Sequence, residues 1–231
     1  MGGDSSRFWP QVVVMMRLLF PVLYFAVLSL LMVPLRLLLA ALNAPQCSSA
    51  MQYVDVACGG VWQDMTIAAC AAIVPLLLAV AGLFTKISFK RAMLYCNAAV
   101  ALLVAFSFIA DAILCPVTGG RLNFAVLMQY ADAPEQIMER FSAGYLFTRF
   151  ALLVAATTFL TLLLHRITPE KPSDASNRTV AVAVYAVMLV AFVLVIRTGI
   201  CSNGDDVLDS SAVNPIFNML FRHNLRIPVT L

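Results

Sequence analysis

In a chain only 12% charged, the arginines and aspartates are the residues with chemistry to explain. Arg36, Asp64, Asp111, Arg121, Arg149 and Arg197 each fall at or just beyond the end of an apolar run. A charge near hydrocarbon costs about 2.5–3.5 kcal/mol at mid-bilayer and less toward the interface, so each of these side chains needs a partner. Two readings stay open. The charges form inter-helix ion pairs or snorkel to the interface. Alternatively, the surplus of arginine holds a lipid phosphate, whose oxygens match the guanidinium fork. Arg36, Asp64, Asp111, Arg121 and Arg197 are the candidates for that ligand layer. No Ser-His-Asp, HExxH or phosphate-loop pattern stands beside them. The layer could hold a lipid, but nothing in it would cleave one, and no catalytic residue is assigned.

Composition sets the elements that must carry this layer. The 231 residues are 62% hydrophobic with a mean hydropathy of +0.91, far from the balance of a soluble domain. No strand-period alternation appears, so an all-α membrane protein is expected: a five-helix transmembrane bundle with short interfacial helices on its outer face. The net charge of +3 is too small and dispersed to suggest nucleic acid, which leaves membrane lipids as the expected partners.

Five segments reach the roughly 20 residues a bilayer requires: about 18–42, 65–85, 92–115, 145–164 and 180–200. The first apolar run exceeds the core of a signal peptide and is expected to be retained. Lysine and arginine distribution orients the set. Arg7, Arg17, Lys86, Lys90, Arg91, Arg166, Lys171 and Arg178 place the N-terminus and the even-numbered connections in the cytoplasm. The loop from Asn43 to Asp64 has no Lys or Arg, and the C-terminal segment opens on Asp205, Asp206 and Asp209. The C-terminus is therefore expected outside. Residues 1–203 form the membrane domain and 204–231 an extracytoplasmic linker with an interfacial helix. Pro21, Pro34 and Pro75 fall within spans, where they predict kinks. The outer segment 116–144 shows helical spacing at Leu122, Val126, Leu127 and Tyr130, and again at Ile137, Met138 and Phe141 after Pro134. It either lies in the interface or folds as a cap on the bundle.

Of the six cysteines, Cys47, Cys58, Cys115 and Cys201 fall on the expected outer side, where they could form two disulfides of undetermined connectivity. A membrane thiol-disulfide oxidoreductase working with a quinone is thus one alternative function, and a small transporter or accessory subunit another. No CxxC occurs, and with only two histidines no metal site is expected.

The order of several short motifs carries a resemblance. Gly59-Gly60-Val61-Trp62-Gln63-Asp64 opens the second span, and Ala110-Asp111 closes the third. Gly119-Gly120-Arg121-Leu122 and Tyr130-Ala131-Asp132-Ala133-Pro134-Glu135 follow. Arg197-Thr198-Gly199 ends the fifth span, with Ala212-Val213-Asn214-Pro215-Ile216-Phe217-Asn218-Met219-Leu220 after it. This series resembles the N-terminal membrane region of the lipoteichoic acid synthase-like sulfatases of the alkaline phosphatase superfamily, from span two to the last residues. The resemblance implies an anchor in the bacterial inner membrane for an extracytoplasmic catalytic domain. That domain would use a threonine and a divalent metal to move phosphoglycerol or phosphoethanolamine from an anionic or zwitterionic phospholipid headgroup. The chain ends at Leu231, where the linker to such a domain would begin, so neither threonine nor metal ligands are carried over. It also makes Asn214 to Arg226 the start of a connecting interfacial helix, with Ile216, Leu220 and Leu225 on its apolar side and His223 among the solvated residues.

Overall fold

A computed structural model of the chain describes residues 15, 17–43, 54, 58–85, 88–118, 122, 124–132, 135, 139, 141–171, 178–202 and 214–221. In chain order its helices are α1 (Phe20–Asn43), α2 (Val61–Phe84), α3 (Phe89–Thr118), α4 (Phe124–Asp132), α5 (Ala143–Ile167), α6 (Arg178–Ser202) and α7 (Pro215–Phe221). No strand occurs among the described residues. The five longest helices, α1, α2, α3, α5 and α6, are long and apolar enough to cross a membrane. At 1.5 Å per residue a 24-residue helix spans about 36 Å, more than the roughly 30 Å of hydrocarbon. The chain is an all-helical, multi-pass membrane protein.

Each expected span has its helix, with shifted ends. The second helix begins at Val61, a turn before the expected Met65, so Gln63 and Asp64 lie inside it. An acidic residue in a first turn is favourable there because it faces the positive end of the helix dipole. Pro34 and Pro75 sit inside α1 and α2. Pro21 instead falls in the first turn of α1, where its missing N–H leaves no bond unmade.

The second helix is the centre of the packing. Ala68, Ala69, Ala72 and Ala79 are buried along it, and small side chains of this kind let neighbouring backbones approach closely inside a membrane. Helices α1 and α6 pack against it, α3 touches both α1 and α2, and α5 is added on the far side of α3. Aromatic contacts fix α1 on two sides. The Phe20 ring meets the edge of Phe89 of α3 at 5.9 Å between centroids, and Phe25 lies 5.6 Å from Phe192 of α6. Helices α5 and α6 turn Phe147, Phe150, Phe159, Val187 and Val190 outward, surfaces suited to lipid tails.

The helices alternate in direction, so the bundle has two ends. At one, the buried amide of Asn97 in α3 donates to Thr168 Oγ1 just past α5, at 3.2 Å, and Thr168 Oγ1 donates to the Leu164 carbonyl at 2.8 Å. The Lys90–Glu170 pair outside this clasp, at 3.9 Å and exposed, adds little. The other end carries Arg36, Asp64, Asp111 and α7.

Near that second end α6 crosses α2 at Gly199. A Cβ there would collide with Thr66 Oγ1 and lie 3.1 Å from Thr66 Cβ and 3.3 Å from the Trp62 carbonyl, the carbonyl to which Thr66 Oγ1 donates at 2.7 Å. Gly199→Ala should therefore destabilise the detergent-solubilised chain by about 1–3 kcal/mol through overpacking. Adding Thr66→Ala should recover part of the loss in thermal unfolding, because it removes the colliding hydroxyl while the Thr66 Cβ and Trp62 carbonyl contacts remain.

Candidate functional site

Arg36 stands two residues after Pro34 in α1, one face of which is buried through Tyr24, Leu28 and Met32. Four-residue spacing continues that face to position 36. The arginine therefore points into the bundle, with none of its side chain exposed. Opposite it, the first turn of α2 presents Asp64, also buried. Arg36 Nη2 and Asp64 Oδ2 are 2.8 Å apart, a charge-assisted contact in surroundings that screen it weakly.

The other carboxylate oxygen of Asp64 is used as well. Asn214, just before α7, donates from Nδ2 to Asp64 Oδ1 and reaches Met32 Sδ at 3.7 Å. Its backbone N–H donates to Gln63 Oε1 at 2.6 Å. Its own side-chain oxygen accepts from the N–H groups of Ile216 at 2.9 Å and Phe217 at 3.4 Å. Asn214 is thus the N-cap of α7, with Pro215 at the first helical position, a sequence suited to starting a helix. One amide starts α7 and locks it to the ion pair. Ile216 and Phe217 are buried in the main core behind it.

Asp111 forms a second, separate anchor. It is fully buried near the end of α3 and accepts from the backbone N–H of Leu122, pinning the chain just before α4. Leu122, Leu114 and Met219 make a small apolar cluster, with Ala110, Leu127 and Tyr130 packed on it. Helices α3, α4 and α7 meet there. The part of segment 116–144 that is described therefore folds onto the bundle at Leu122, while Phe124 and Met128 remain exposed. Helix α7 likewise differs from a surface-lying helix with an Ile216–Leu220 stripe. Ile216, Phe217 and Met219 are buried and Leu220 is 44% exposed, because Asn214 rolls the other face inward.

Of the five residues expected in the polar layer, the structure brings Arg36 and Asp64 into contact and gives Asp111 a different partner. Arg197 is exposed on α6, and Arg121 lies outside the described residues. Gln63 and Asn214 complete the lock and were not among the expected site residues. The signal for Asn214 was local, an Asn-Pro pair before an apolar run; nothing local marked its link to Gln63.

Cys58 and Cys201, two of the four cysteines that could form disulfides, are exposed free thiols. Cys47 and the side chain of Cys115 lie outside the described residues. Cys70 and Cys96 are partly buried free thiols within α2 and α3. Among the described residues no three His, Cys, Asp or Glu side chains gather to hold a metal.

Losing one member of a buried ion pair strands the other charge, at about 3–5 kcal/mol, whereas exchanging both for apolar groups is often close to neutral. Asp64→Leu should therefore lower stability in detergent by several kcal/mol (about 3–5). Arg36→Met with Asp64→Leu should recover a large part of it, as read by thermal unfolding. Asn214→Asp keeps the cap but sets a second carboxylate against Asp64, so α7 should become protease-sensitive at neutral pH and regain protection on acidification, when a protonated carboxyl can donate.

No family model matches the chain, and no curated protein or solved structure matches it.

Proposed function

We propose that the chain is the membrane-anchor domain of a lipoteichoic acid synthase-like sulfatase or phosphoglycerol or phosphoethanolamine transferase. In this reading the five spans seat it in a bacterial inner membrane, with the N-terminus cytoplasmic and the end carrying α7 outside. The observation that carries the reading is the Asn214 lock. The segment after the last span is bound back onto the bundle through Asp64 and Gln63. A domain continuing from it is held at a set height over the lipid surface, where headgroup chemistry would occur. Two further features support it. The ends of the helices opposite the lock carry Arg17, Lys90, Arg91, Arg166, Lys171 and Arg178, as a cytoplasmic face should. The motifs that carry the resemblance supply Gln63, Asp64, Gly199 and Asn214, all of which make contacts around the first turns of α2.

The first test is orientation. A periplasmic alkaline phosphatase reporter should be active when fused after Leu231 and inactive after Lys171; the reverse pattern removes the reading. The second joins a sulfatase-fold phosphotransferase domain after Leu231. Asn214→Ala should then lower transfer from membrane phospholipid several-fold while hydrolysis of a water-soluble ester stays unchanged. Equal loss on both substrates, or on neither, would contradict the anchoring role.

A further inference from the structure

Helix α5 packs on α3 through Leu153, Ala156, Leu160 and Leu164, a stripe at the three- and four-residue spacing of one helix face. Continued toward the N-terminus of α5, the same stripe gives Arg149 and then Tyr145. Both are half-buried, at the end of the bundle that carries the lock. The Arg149 guanidinium lies 4.8 Å from the Tyr145 ring centroid. Tyr145 in turn stacks on Phe141, with centroids 4.9 Å apart and planes 11° from parallel. The pile is three layers deep.

A cation–π contact of this kind holds the guanidinium by its charge over the ring and does not use up its five N–H donors. Among the described residues no carboxylate lies within ion-pair distance of Arg149. Arg36, by contrast, is wholly buried and closed by Asp64. The permanent charge of Arg149, only partly exposed and near the end of a spanning helix, favours an anionic partner.

Depth identifies the partner. Helix α5 has 25 residues and is about 37 Å long, so it overhangs about 30 Å of hydrocarbon by a few ångströms at each end. The Arg149 Cα lies about 9 Å along from Ala143, just inside that boundary. Helical side chains lean toward the N-terminus, so with α5 centred on the bilayer the guanidinium reaches back toward the headgroup phosphates. Next to Arg149 on α5, Phe150 is 62% exposed and offers an apolar surface to acyl chains, which a free phosphate would not use. We propose that Arg149, held on the Tyr145–Phe141 stack, binds the phosphodiester of a membrane phospholipid through two in-plane N–H groups, with the acyl chains along the Phe150 side of α5. The site stands whether or not the chain is a sulfatase anchor.

The test is native mass spectrometry of the full chain in detergent, titrated with phosphatidylglycerol, and with diacylglycerol of the same acyl chains as the phosphate-free control. The wild type should bind phosphatidylglycerol about tenfold more tightly than diacylglycerol, and Arg149→Met should erase that difference. Arg149→Lys should lose several-fold, because an ammonium neither stacks flat nor forks. Tyr145→Phe should bind as the wild type and Tyr145→Leu more weakly. Wild-type binding by an Arg149→Met chain with unchanged thermal unfolding would overturn the proposal. So would displacement of the lipid by millimolar inorganic phosphate, which would make the ligand a free anion. Should Arg149→Met not fold, the Arg149→Lys and Tyr145→Leu comparison decides on the same scale: weaker binding in both supports the site, wild-type binding in both removes it.

Discussion

The buried contact between Arg36 and Asp64 constrains the rest of the bundle. Between helices surrounded by lipid, apolar packing has little preference for one axial register over the next, since lipid tails satisfy a leucine as well as another helix does. A charge is different. Once Arg36 is in α1 and Asp64 in α2, any sliding or rotation that parts them leaves two ions without a counter-charge in a medium that solvates neither. The pair adds little net stability, yet it selects one register for the two helices at the centre of the packing. With α1 and α2 set, the position of α6 follows from Gly199 against Thr66, and that of α3 from Phe89 against Phe20.

The two ends of the bundle are closed by different means. The Asn97–Thr168 clasp is neutral and joins α3 to the residue ending α5, and neither partner is a charge that must stay covered. At the opposite end the carboxylate of Asp64 has a second oxygen that one arginine does not satisfy, and Asn214 fills the gap. Helix α7 has seven residues, far below the length at which a helix persists alone in water. It exists because it is docked. Ile216 and Phe217 supply buried area, and Asn214 sets where along the bundle that area is buried.

The spans were legible because a run of twenty apolar residues has few alternatives in a membrane protein, and all five appear. Their ends were less so. Gln63 and Asp64 read as loop by polarity, yet they belong to α2 because the fold supplies partners for them. Arg36 and Asp64 could be named as candidates from the cost of their charge alone, but that they bond to each other depends on the facing of two helices. Arg197, chosen by the same reasoning, is exposed on α6, since a charge near a helix end can also simply reach water or headgroups. Asn214 shows the opposite limit. Its capping role is written in the adjacent proline, while its bonds to residues 150 and 151 positions earlier leave no local trace.

Those long-range bonds also fix how the chain leaves the bundle. Helix α6 is seated on α2 by Gly199, which lies against Thr66 and the Trp62 carbonyl. After residues 203–213 the chain returns to the same turns of α2, where Asn214 bonds to Gln63 and Asp64. Both ends of that connection are therefore held at one place on one helix. The start and direction of α7 are set by α2, through the cap at Asn214 and the apolar contacts of Ile216 and Phe217, and not by the lipid surface. A helix lying free in an interface would rotate about its own axis with the local headgroup composition. Helix α7 cannot, because rolling it would expose Ile216 and pull an amide from a buried carboxylate at the same time.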